Sequence, residues 1–577
     1  MAAATLATPA FADTQTAPDV TVTPLKVTVH TAERTCTVDA DLYRPVGVDA
    51  AHPAPAVLTT NGFGGSKSDS TGDTARAFAE RGYVSLAYSG LGFGKSGCLV
   101  SLDDPRIDGK AASALVDLLA GTRAADDGTT IDYVTADKKG DPRVGMIGGS
   151  YGGAIQLATA AVDHRVDALV PMITWNNLAY SLDPQNATDP AAADVPGAFK
   201  WQWTNGFYLI GEGQPLLSPS LDPSRINKLS CLHFVDDACA TIRTLNSGRY
   251  PAADTQRLLS YARSVSPVSY LKQVKAPTLL VQGQADSLFN LNEARSTYDT
   301  LAAQGTPAKM IWQSWGHSGG LTDPAAGELN LSEGNLETSY VGRRVLAWFD
   351  RYLHKKGGTD TGPAFAYYRD WITDPNGTYA TAPRVPALNR TLYLSGDGKL
   401  VDNRKKVARG SREYRNWLVP TSHSESSLAG LIGLPDPAPY DTKGTYLDWT
   451  TEPLTAATDV VGAPKATLTV VSPKTERVQN SADAADKLVL FAKLYDVAPD
   501  GSKTLVHRLV APVRVPDVTR PFTVSLPGIV HRYEKGHRMR FVIAASDDAY
   551  GGNKGVKPVT VTSAPYDTGT VQLPVVP

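Results

Sequence analysis

Residues 144–153 read VGMIGGSYGG, and this stretch decides the fold. An apolar run of strand length, Val144–Ile147, is followed by glycines and then by small residues of helical character. Gly148 to Gly152 fit the pattern G-x-S-x-G. In a sharp strand-to-helix turn this pattern needs small neighbours and leaves the serine oxygen exposed above a sheet. The stretch therefore predicts such a turn with Ser150 as a nucleophile; the alternative is a glycine-rich turn whose serine is inert.

A serine nucleophile needs a base, and the base needs an acid that orients it. In folds with this turn, the acid and then the histidine follow the serine along the chain. Asp286 follows the strand-like run LLVQGQA, and His317 follows the strand-like run IWQSWG. His317 is also the only histidine of this region placed just past a late strand. We predict Ser150, Asp286 and His317 as a catalytic triad; for Asp286 the alternative is a helix cap or a solvated loop charge.

An oxyanion hole requires two N–H donors aimed at the place where negative charge develops. We predict the backbone N–H of Tyr151, the residue after the serine, and the backbone N–H of Phe63. Phe63 lies in the loop NGFGG, residues 61–65, whose glycines allow the backbone to approach a substrate closely. Gly64 is the other candidate in this loop, and a simple glycine turn is the alternative.

The pattern of strand-like and helix-like runs divides the rest of the chain into regions. From about residue 20 to 355, strand-like and helix-like runs alternate, which predicts an α/β fold with a mainly parallel sheet and helices on both faces. Strand signals are missing from about 175 to 266, which predicts a helical cap over the strand ends where ligands bind. Later β-rich runs separated by turns predict an all-β jelly-roll sandwich. The two predicted units are residues 13–360 and residues 362–577.

Composition argues against several classes of partner. The 577 residues carry a net charge of −2 and contain no long block of like charge, so we expect neither nucleic acid nor an anionic membrane as a partner. The sequence contains no run of about 18 apolar residues, so it predicts no membrane-spanning helix. No C-x-x-C pair or His/Cys cluster indicates zinc, and we predict no metal and no cofactor. The sequence does not indicate an oligomeric state.

Two features favour an oxidising compartment. Residues 1–12 are small and apolar and end in Ala10-Phe11-Ala12, which resembles the remnant of a secretory signal with its cleavage site; a plain alanine-rich tail is the alternative. The four cysteines fit secretion, although four reduced thiols remain an alternative. Cys231 and Cys239 lie close enough to close a local loop, which would leave Cys36 with Cys98. Four cysteines allow three pairings, and the sequence alone does not choose between them.

A second glycine-rich stretch, SGLGFGKSGC at residues 89–98, invites comparison with a phosphate-binding loop. That loop requires G-x-x-x-x-G-K-[ST] between a strand and a helix. Here Ser89 stands where the first glycine is needed, and no helix follows directly. We therefore predict a tight turn near the catalytic rim with a solvated Lys95; an NTPase is the alternative that this stretch raises.

Taken together, these residues resemble the Xaa-Pro dipeptidyl-peptidase and cocaine-esterase family of serine hydrolases. The resemblance rests on G-x-S-Y-x-G around Ser150, Q-G-x-x-D ending at Asp286, and WGH ending at His317. The later runs LYDVAPDG and HRYEKGHRMR resemble the family's jelly-roll domain, so the resemblance covers nearly the whole chain. It implies an α/β-hydrolase core, a helical cap, a β-sandwich beside the active site, and the same triad. Several members use a tyrosine side chain as oxyanion donor, whereas Phe63 has no hydroxyl.

The resemblance implies a small-molecule or peptide substrate and a peptidase of the Xaa-Pro dipeptidyl-peptidase type. A carboxylesterase or amide acylase is the alternative, and an inactive binding protein is an alternative of another class. Trp175, Trp201 and Trp203 are candidates to wall an apolar or proline-sized pocket, and ordinary cap core is the alternative. A free α-ammonium would need a carboxylate near the pocket. The candidates in the cap are Asp183, Asp189, Asp194, Glu212, Asp236 and Asp237.

Overall fold

The computed structural model describes most of the chain. The described residues are 19–31, 34–187, 196–217, 222–318, 324–325, 327–330, 335–374, 377–417, 419–425, 437–551 and 554–576. The predicted signal remnant, residues 1–12, and the cap candidates Asp189 and Asp194 lie outside the described residues. In the part of the chain that the structure describes, no helix combines the length and apolar character that a membrane span requires.

Ten strands form one large sheet around the site. The first twelve strands are Val20–His30 (β1), Thr35–Pro45 (β2), Ala56–Thr60 (β3), Val84–Tyr88 (β4), Ala136–Lys138 (β5), Asp141–Pro142 (β6), Val144–Gly149 (β7), Val166–Met172 (β8), Thr278–Ala285 (β9), Ala308–Trp315 (β10), Phe365–Tyr368 (β11) and Tyr379–Ala382 (β12). The hairpin β5–β6 stands apart. The other strands follow the order β1-β2-β4-β3-β7-β8-β9-β10-β11-β12, and the strands from β4 to β11 run parallel. This confirms the predicted mainly parallel sheet.

Helices cover both faces of this sheet. They are Ser70–Ala79 (α1), Lys110–Leu119 (α2), Tyr151–Val162 (α3), Leu178–Leu182 (α4), Trp201–Gly213 (α5), Asp236–Ser247 (α6), Ala252–Ser264 (α7), Pro267–Tyr270 (α8), Leu291–Ala303 (α9) and Tyr340–Tyr352 (α10). A π-helical turn at Pro105–Gly109 precedes α2. Neighbouring residues of β3 face two different cores, since Val57 packs with Phe78 and Phe349, whereas Leu58 packs with Leu115. Such two-sided burial explains why the central strands read as continuous apolar runs.

Helices α4 to α8 lie between β8 and β9, where the sequence predicts the helical cap, and we call them the cap. The first sheet, however, continues past residue 362, because β11 pairs with β10 and β12 pairs with β11. The change to β-rich runs near residue 362 therefore coincides with the last strands of the first sheet. An aromatic run such as FAYY reads as a strand in either unit, so the pattern cannot assign it to one of them.

The C-terminal region is built from antiparallel strands. Its strands are Arg390–Leu394 (β13), Leu400–Val401 (β14), Gly410–Tyr414 (β15), Ser422–His423 (β16), Tyr440–Asp441 (β17), Tyr446–Thr450 (β18), Thr458–Gly462 (β19), Lys465–Leu468 (β20), Val489–Val497 (β21), Lys503–Leu505 (β22), Ala511–Arg514 (β23), Phe522–Ser525 (β24), Ile529–Tyr533 (β25), Arg538–Ala544 (β26), Val559–Ser563 (β27), Thr570–Leu573 (β28) and Val575–Val576 (β29), with one short helix, Pro473–Val478 (α11). One apolar cluster that includes Trp449 and Phe541 joins them. The all-β expectation is confirmed.

Two disulfides join Cys36 to Cys98 and Cys231 to Cys239. This is the one of the three possible pairings that contains the local Cys231–Cys239 loop. The first ties the glycine-rich stretch 89–98 to β2, and the second closes a loop at the start of α6. Both therefore hold segments at the rim of the site.

Candidate active site

Ser150 sits in the turn between β7 and α3 with a left-handed backbone, φ 57° and ψ −119°. The surrounding chain leaves no room for a side chain at two glycines of the motif. A Cβ on Gly152 would lie 2.4 Å from the carbonyl oxygen of Thr60, and one on Gly148 would lie 2.8 Å from that of Gly152. The Ser150 N–H donates to the carbonyl of Met172 at 2.9 Å. The glycines of the motif thus permit the close approach of β3, β7 and α3 that holds the serine above the sheet.

The structure brings the three predicted side chains together. His317 Nε2 lies 2.9 Å from Ser150 Oγ, and His317 Nδ1 lies 2.7 Å from Asp286 Oδ2. The side chains of His317 and Asp286 are 2% and 0% exposed. With Nδ1–H donating to the carboxylate, the imidazole presents an unprotonated Nε2 to the serine hydroxyl, which is the arrangement that a general base requires.

Asp286 and His317 follow β9 and β10, which are adjacent parallel strands. The other carboxylate oxygen of Asp286 accepts the N–H groups of Leu288 at 3.0 Å and Phe289 at 2.7 Å. A Cβ on Gly316 would lie 2.6 Å from the Cβ of Asp286, so this glycine allows the two loops to touch. In the run WGH, the glycine is therefore needed for the approach of the two loops, and the histidine supplies the base.

The loop NGFGG lies beside the serine, since a Cβ on Gly62 would be 4.0 Å from Ser150 Cβ. Asn61 holds this loop, because its side chain accepts the N–H of Gly90 at 2.9 Å and donates to the carbonyl of Gly62 at 2.8 Å. Among the described residues, the N–H groups of Phe63 and Tyr151 donate to no protein acceptor. Both N–H groups therefore remain available to a ligand, as does that of Gly64, the other candidate in this loop. Asn61 is a support that the sequence analysis missed.

A cavity of about 130 Å³ opens beside Ser150. Its walls come from β3, α1, β7 and the segments after β8 and β10, and include Thr59, Thr71, Ile147, Ile173 and Trp315. An apolar cavity of about 150 Å³ is known to hold a benzene molecule. The space beside Ser150 is therefore suited to a small ring or a short acyl group.

Aromatic rings enclose the histidine from the cap side. Phe289 and Trp203 meet the His317 ring edge-on, at centroid distances of 5.1 and 6.3 Å. Trp175 is buried and packs 5.2 Å from Phe289. Trp201, in contrast, is 43% exposed and its indole N–H donates to the carbonyl of Asp548 at 2.7 Å. The structure thus groups Trp175 and Trp203 near the site and directs Trp201 toward the C-terminal region.

A second cavity, of about 100 Å³, lies within the cap behind Phe63. Its walls are mainly apolar and include Leu182, Phe207, Phe234 and Leu245. The Phe63 ring forms edge-to-face contacts with Phe207 at 5.2 Å and Tyr151 at 5.7 Å. The Phe63 side chain therefore lines this cavity and packs on Tyr151, the residue after the serine, which its sequence position did not indicate.

Several cap carboxylates are already engaged by the chain itself. Glu212 accepts the N–H groups of Leu232 and His233 at 2.7 and 3.0 Å, and Asp236 accepts from Asn227 and Ser230. Asp237 lies exposed on the outer side of α6. Asp183 is buried and accepts the N–H of Gly197 at 3.1 Å. Burial raises the pKa of Asp183 to about 6, and the charge of Arg514 opposes the rise.

Glu293 is a buried carboxylate that the sequence analysis missed. It accepts the N–H groups of Asn176 at 2.8 Å and Asn177 at 3.1 Å and the hydroxyl of Ser181, so it anchors the start of the cap to α9. Burial raises its pKa to about 7. A glutamate in the first turn of a helix ordinarily reads as a solvated charge, and only the fold reveals its burial.

The glycine-rich stretch 89–98 is a closed turn. The buried guanidinium of Arg225 donates to the carbonyls of Gly92 and Gly94, each at 2.9 Å. His233 Nε2 also lies 2.7 Å from the Gly92 carbonyl. The cap thus holds this loop through its carbonyls, which disfavours a phosphate cradle. In the described ranges, no three His, Cys, Asp or Glu side chains are grouped closely enough to hold a metal ion.

The sheet order and the strand-turn-helix at Ser150 define the class of the protein as an α/β-hydrolase. The sequence model of the X-Pro dipeptidyl-peptidase (S15) family matches residues 35–319, and that of the X-Pro dipeptidyl-peptidase C-terminal non-catalytic domain matches residues 351–563. The two matches together span most of the chain. The chain belongs to this family of hydrolases, and the resemblance noted in the sequence is confirmed.

Individual relatives are distant. Uncharacterized protein YcjY of Escherichia coli (strain K12) is 29% identical over 136 residues, which are 23% of this chain and 40% of that protein. The crystal structure of an aminopeptidase from the marine sediment archaeon Thaumarchaeota archaeon has a TM-score of 0.64 at 15% identity and covers 100% of this chain and 99% of its own. An alpha-amino acid ester hydrolase has a TM-score of 0.64 at 16% identity, with 98% of each chain covered. At this identity the likeness shows the shared fold.

Proposed function

We propose that the protein is a secreted serine hydrolase in which Ser150, His317 and Asp286 form the catalytic triad. The observation that carries this proposal is the continuous hydrogen-bonded chain Ser150–His317–Asp286, at 2.9 and 2.7 Å, on a serine in a strained turn. Two disulfides support an extracellular location, because such bonds persist in oxidising compartments.

The proposed reaction passes through an acyl-enzyme. Ser150 Oγ attacks the substrate carbonyl while its proton moves to His317 Nε2, and Asp286 stabilises the imidazolium. The N–H groups of Tyr151 and Phe63 donate to the developing oxyanion. His317 then gives its proton to the leaving group, and the C–N or C–O bond breaks. A water molecule, activated by the same histidine, hydrolyses the ester on Ser150.

For the substrate, we propose peptides with proline at the second position, from which Xaa-Pro dipeptides are released. Family membership supports this class, and so does the cavity of about 130 Å³ beside Ser150, which is suited to a pyrrolidine ring. The other candidate is an ester or acyl amide. It is favoured by the cap carboxylates, because Glu212, Asp236 and Asp183 already accept hydrogen bonds from the chain itself.

Three chromogenic substrates separate these possibilities: an Xaa-Pro p-nitroanilide, its N-acylated counterpart, and a short-chain p-nitrophenyl ester. Turnover of the free-amine anilide well above the other two supports the dipeptidyl-peptidase. Preference for the ester, or indifference to the blocked amine, supports the esterase or acylase. Ser150→Ala is the control for each substrate. If this variant and the wild type are equally inactive toward all three, an inactive binding protein becomes the better account.

A further inference from the structure

A second set of polar contacts surrounds the residue that follows the catalytic acid. The residue after Asp286 is Ser287, and its N–H donates to Ser318 Oγ at 2.6 Å. The carbonyl of Ser287 accepts a hydrogen bond from the ammonium of Lys200, at the start of α5 in the cap. The Ser287 carbonyl and the Leu288 N–H belong to one peptide group, which we call the Ser287 peptide, so Lys200 holds the same peptide whose N–H donates to Asp286. The following N–H, that of Phe289, also donates to Asp286.

Lys200 is held in turn by the C-terminal region. Its ammonium lies 3.1 Å from Glu425 Oε1, and the two side chains are 4% and 2% exposed. It also lies 5.5 Å from the centre of the Tyr550 ring. Burial raises the pKa of Glu425, and the charge of Lys200 opposes the rise. An isolated buried ammonium would be costly, and the Glu425 carboxylate offsets this cost where the ammonium of Lys200 meets the Ser287 carbonyl.

Joining the cap to the C-terminal region does not by itself explain the Lys200–Glu425 pair. The cap and the C-terminal region are already joined by other contacts, including those from Arg514 to the carbonyl of Gly197 and from Gln202 to the carbonyl of Asp548. The first of these contacts ends before α5, and the second ends on a turn of the C-terminal region. The contact from Lys200 ends on the loop that carries the acid.

We propose that Lys200 and Glu425 are positioning residues that hold the Ser287 peptide and thereby keep Asp286 aimed at His317. This inference rests on the triad of the proposed function. It gives the C-terminal region a part in catalysis, because Glu425 lies 225 residues from Lys200 in sequence and reaches the acid through a single lysine. A displacement of about 1 Å in such a constellation costs as much as a hundredfold in rate.

The test compares Lys200→Met, Lys200→Arg and Glu425→Gln with Gln202→Ala, a matched control on the same helix and interface. The assay uses whichever chromogenic substrate the wild type hydrolyses best. We expect Lys200→Met to lower kcat by about 10- to 100-fold with KM changed less than about threefold. Lys200→Arg should restore part of kcat, Glu425→Gln should give a smaller loss, and Gln202→Ala should stay within about twofold of wild type.

A readout specific to positioning is the pH profile of kcat/KM. A loosely held Asp286 stabilises the imidazolium less, so the acidic limb of the profile should move to lower pH in Lys200→Met. A variant with wild-type kcat and an unmoved limb overturns the inference. If Lys200→Met does not fold, Glu425→Gln, which keeps its shape, decides in the same way. An active Ser150→Ala would instead reject the proposed triad, so the two failures are distinguishable.

Discussion

The two neighbours of His317 are held in different ways. Ser150 is held by the backbone of its own turn and of the adjacent strands, which approach so closely that a Cβ on Gly152 would lie 2.4 Å from a carbonyl oxygen. Asp286 accepts amides of its own loop, and the carbonyl of the next residue, Ser287, is held by a lysine of the cap that pairs with a glutamate of the C-terminal region. The comparison shows that the serine side of the site is built from neighbouring backbone. The acid side depends on the Asp286 loop, the cap and the C-terminal region.

The largest effects should come from the triad itself and should differ between its two ends. We expect Ser150→Ala to lower kcat by roughly 10⁴- to 10⁶-fold, because among the described residues Ser150 is the one hydroxyl hydrogen-bonded to His317. Asp286→Asn should lower it by about 10⁴-fold, since the amide favours the wrong imidazole tautomer. The measurement is kcat on the best chromogenic substrate with purified, folded protein. Equal turnover by Ser150→Ala and wild type would remove the serine from the mechanism.

The next largest effect should come from a substitution that tests the close packing of the Ser150 turn. Gly152→Ala should destabilise the protein by about 1–3 kcal/mol, because its Cβ would meet the Thr60 carbonyl at 2.4 Å. Gly149→Ala is the matched control, since the nearest atom to its Cβ is Ile173 Cγ1 at 3.5 Å. Thermal midpoints by calorimetry make the comparison. If the two variants unfold at the same temperature, the turn is less tightly packed than described.

The pH dependence of stability tests Glu293, the buried carboxylate of α9, the helix that follows the Asp286 loop. Burial raises the pKa of Glu293 from 4.5 to about 7. Between these values the unfolded chain releases a proton that the folded protein keeps, so this group makes stability fall as pH rises from about 4.5 to 7, by about 1.4 kcal/mol for each unit of pKa shift. Glu293→Gln cannot ionise and should lose less stability across that window. Thermal midpoints of wild type and variant that run parallel from pH 4.5 to 7 would contradict this.

The smallest effect should come from the glycine-rich stretch. Lys95 is exposed, and the carbonyls of its loop are occupied by Arg225. We expect Lys95→Ala to keep kcat within about twofold of wild type, because removing a solvated charge leaves the turn intact. Isothermal titration with a nucleotide should give no heat of binding for either protein. Nucleotide binding that weakens in Lys95→Ala would revive the phosphate-loop interpretation.

The same contrast explains how much the sequence could reveal. The strand-to-helix turn at Ser150, the parallel sheet and the loops of Asp286 and His317 follow from short patterns in which spacing carries the chemistry. The roles of Lys200, Glu425 and Glu293 depend on contacts across 87 to 225 residues. Each of these residues reads as a solvated charge in its own segment, and only packing shows that it is buried and paired.

The cap illustrates the limit most clearly. Its helices were predictable from missing strand signals, yet Trp201 and Trp203, two residues apart, point to different partners. Their helix could be recognised in the sequence, but which face of it meets the histidine depends on how the cap docks. Likewise FAYY was recognisable as a strand, and its place in the first sheet depended on pairing with β10.

The most direct test of the triad is labelling with a fluorophosphonate probe, followed by mass mapping of the modified peptide. The account predicts one covalent adduct on Ser150 in the folded wild type. It predicts none in Ser150→Ala, and slow labelling in His317→Ala, because the hydroxyl then lacks its base. An adduct on another residue, or equal labelling of wild type and Ser150→Ala, would contradict the account.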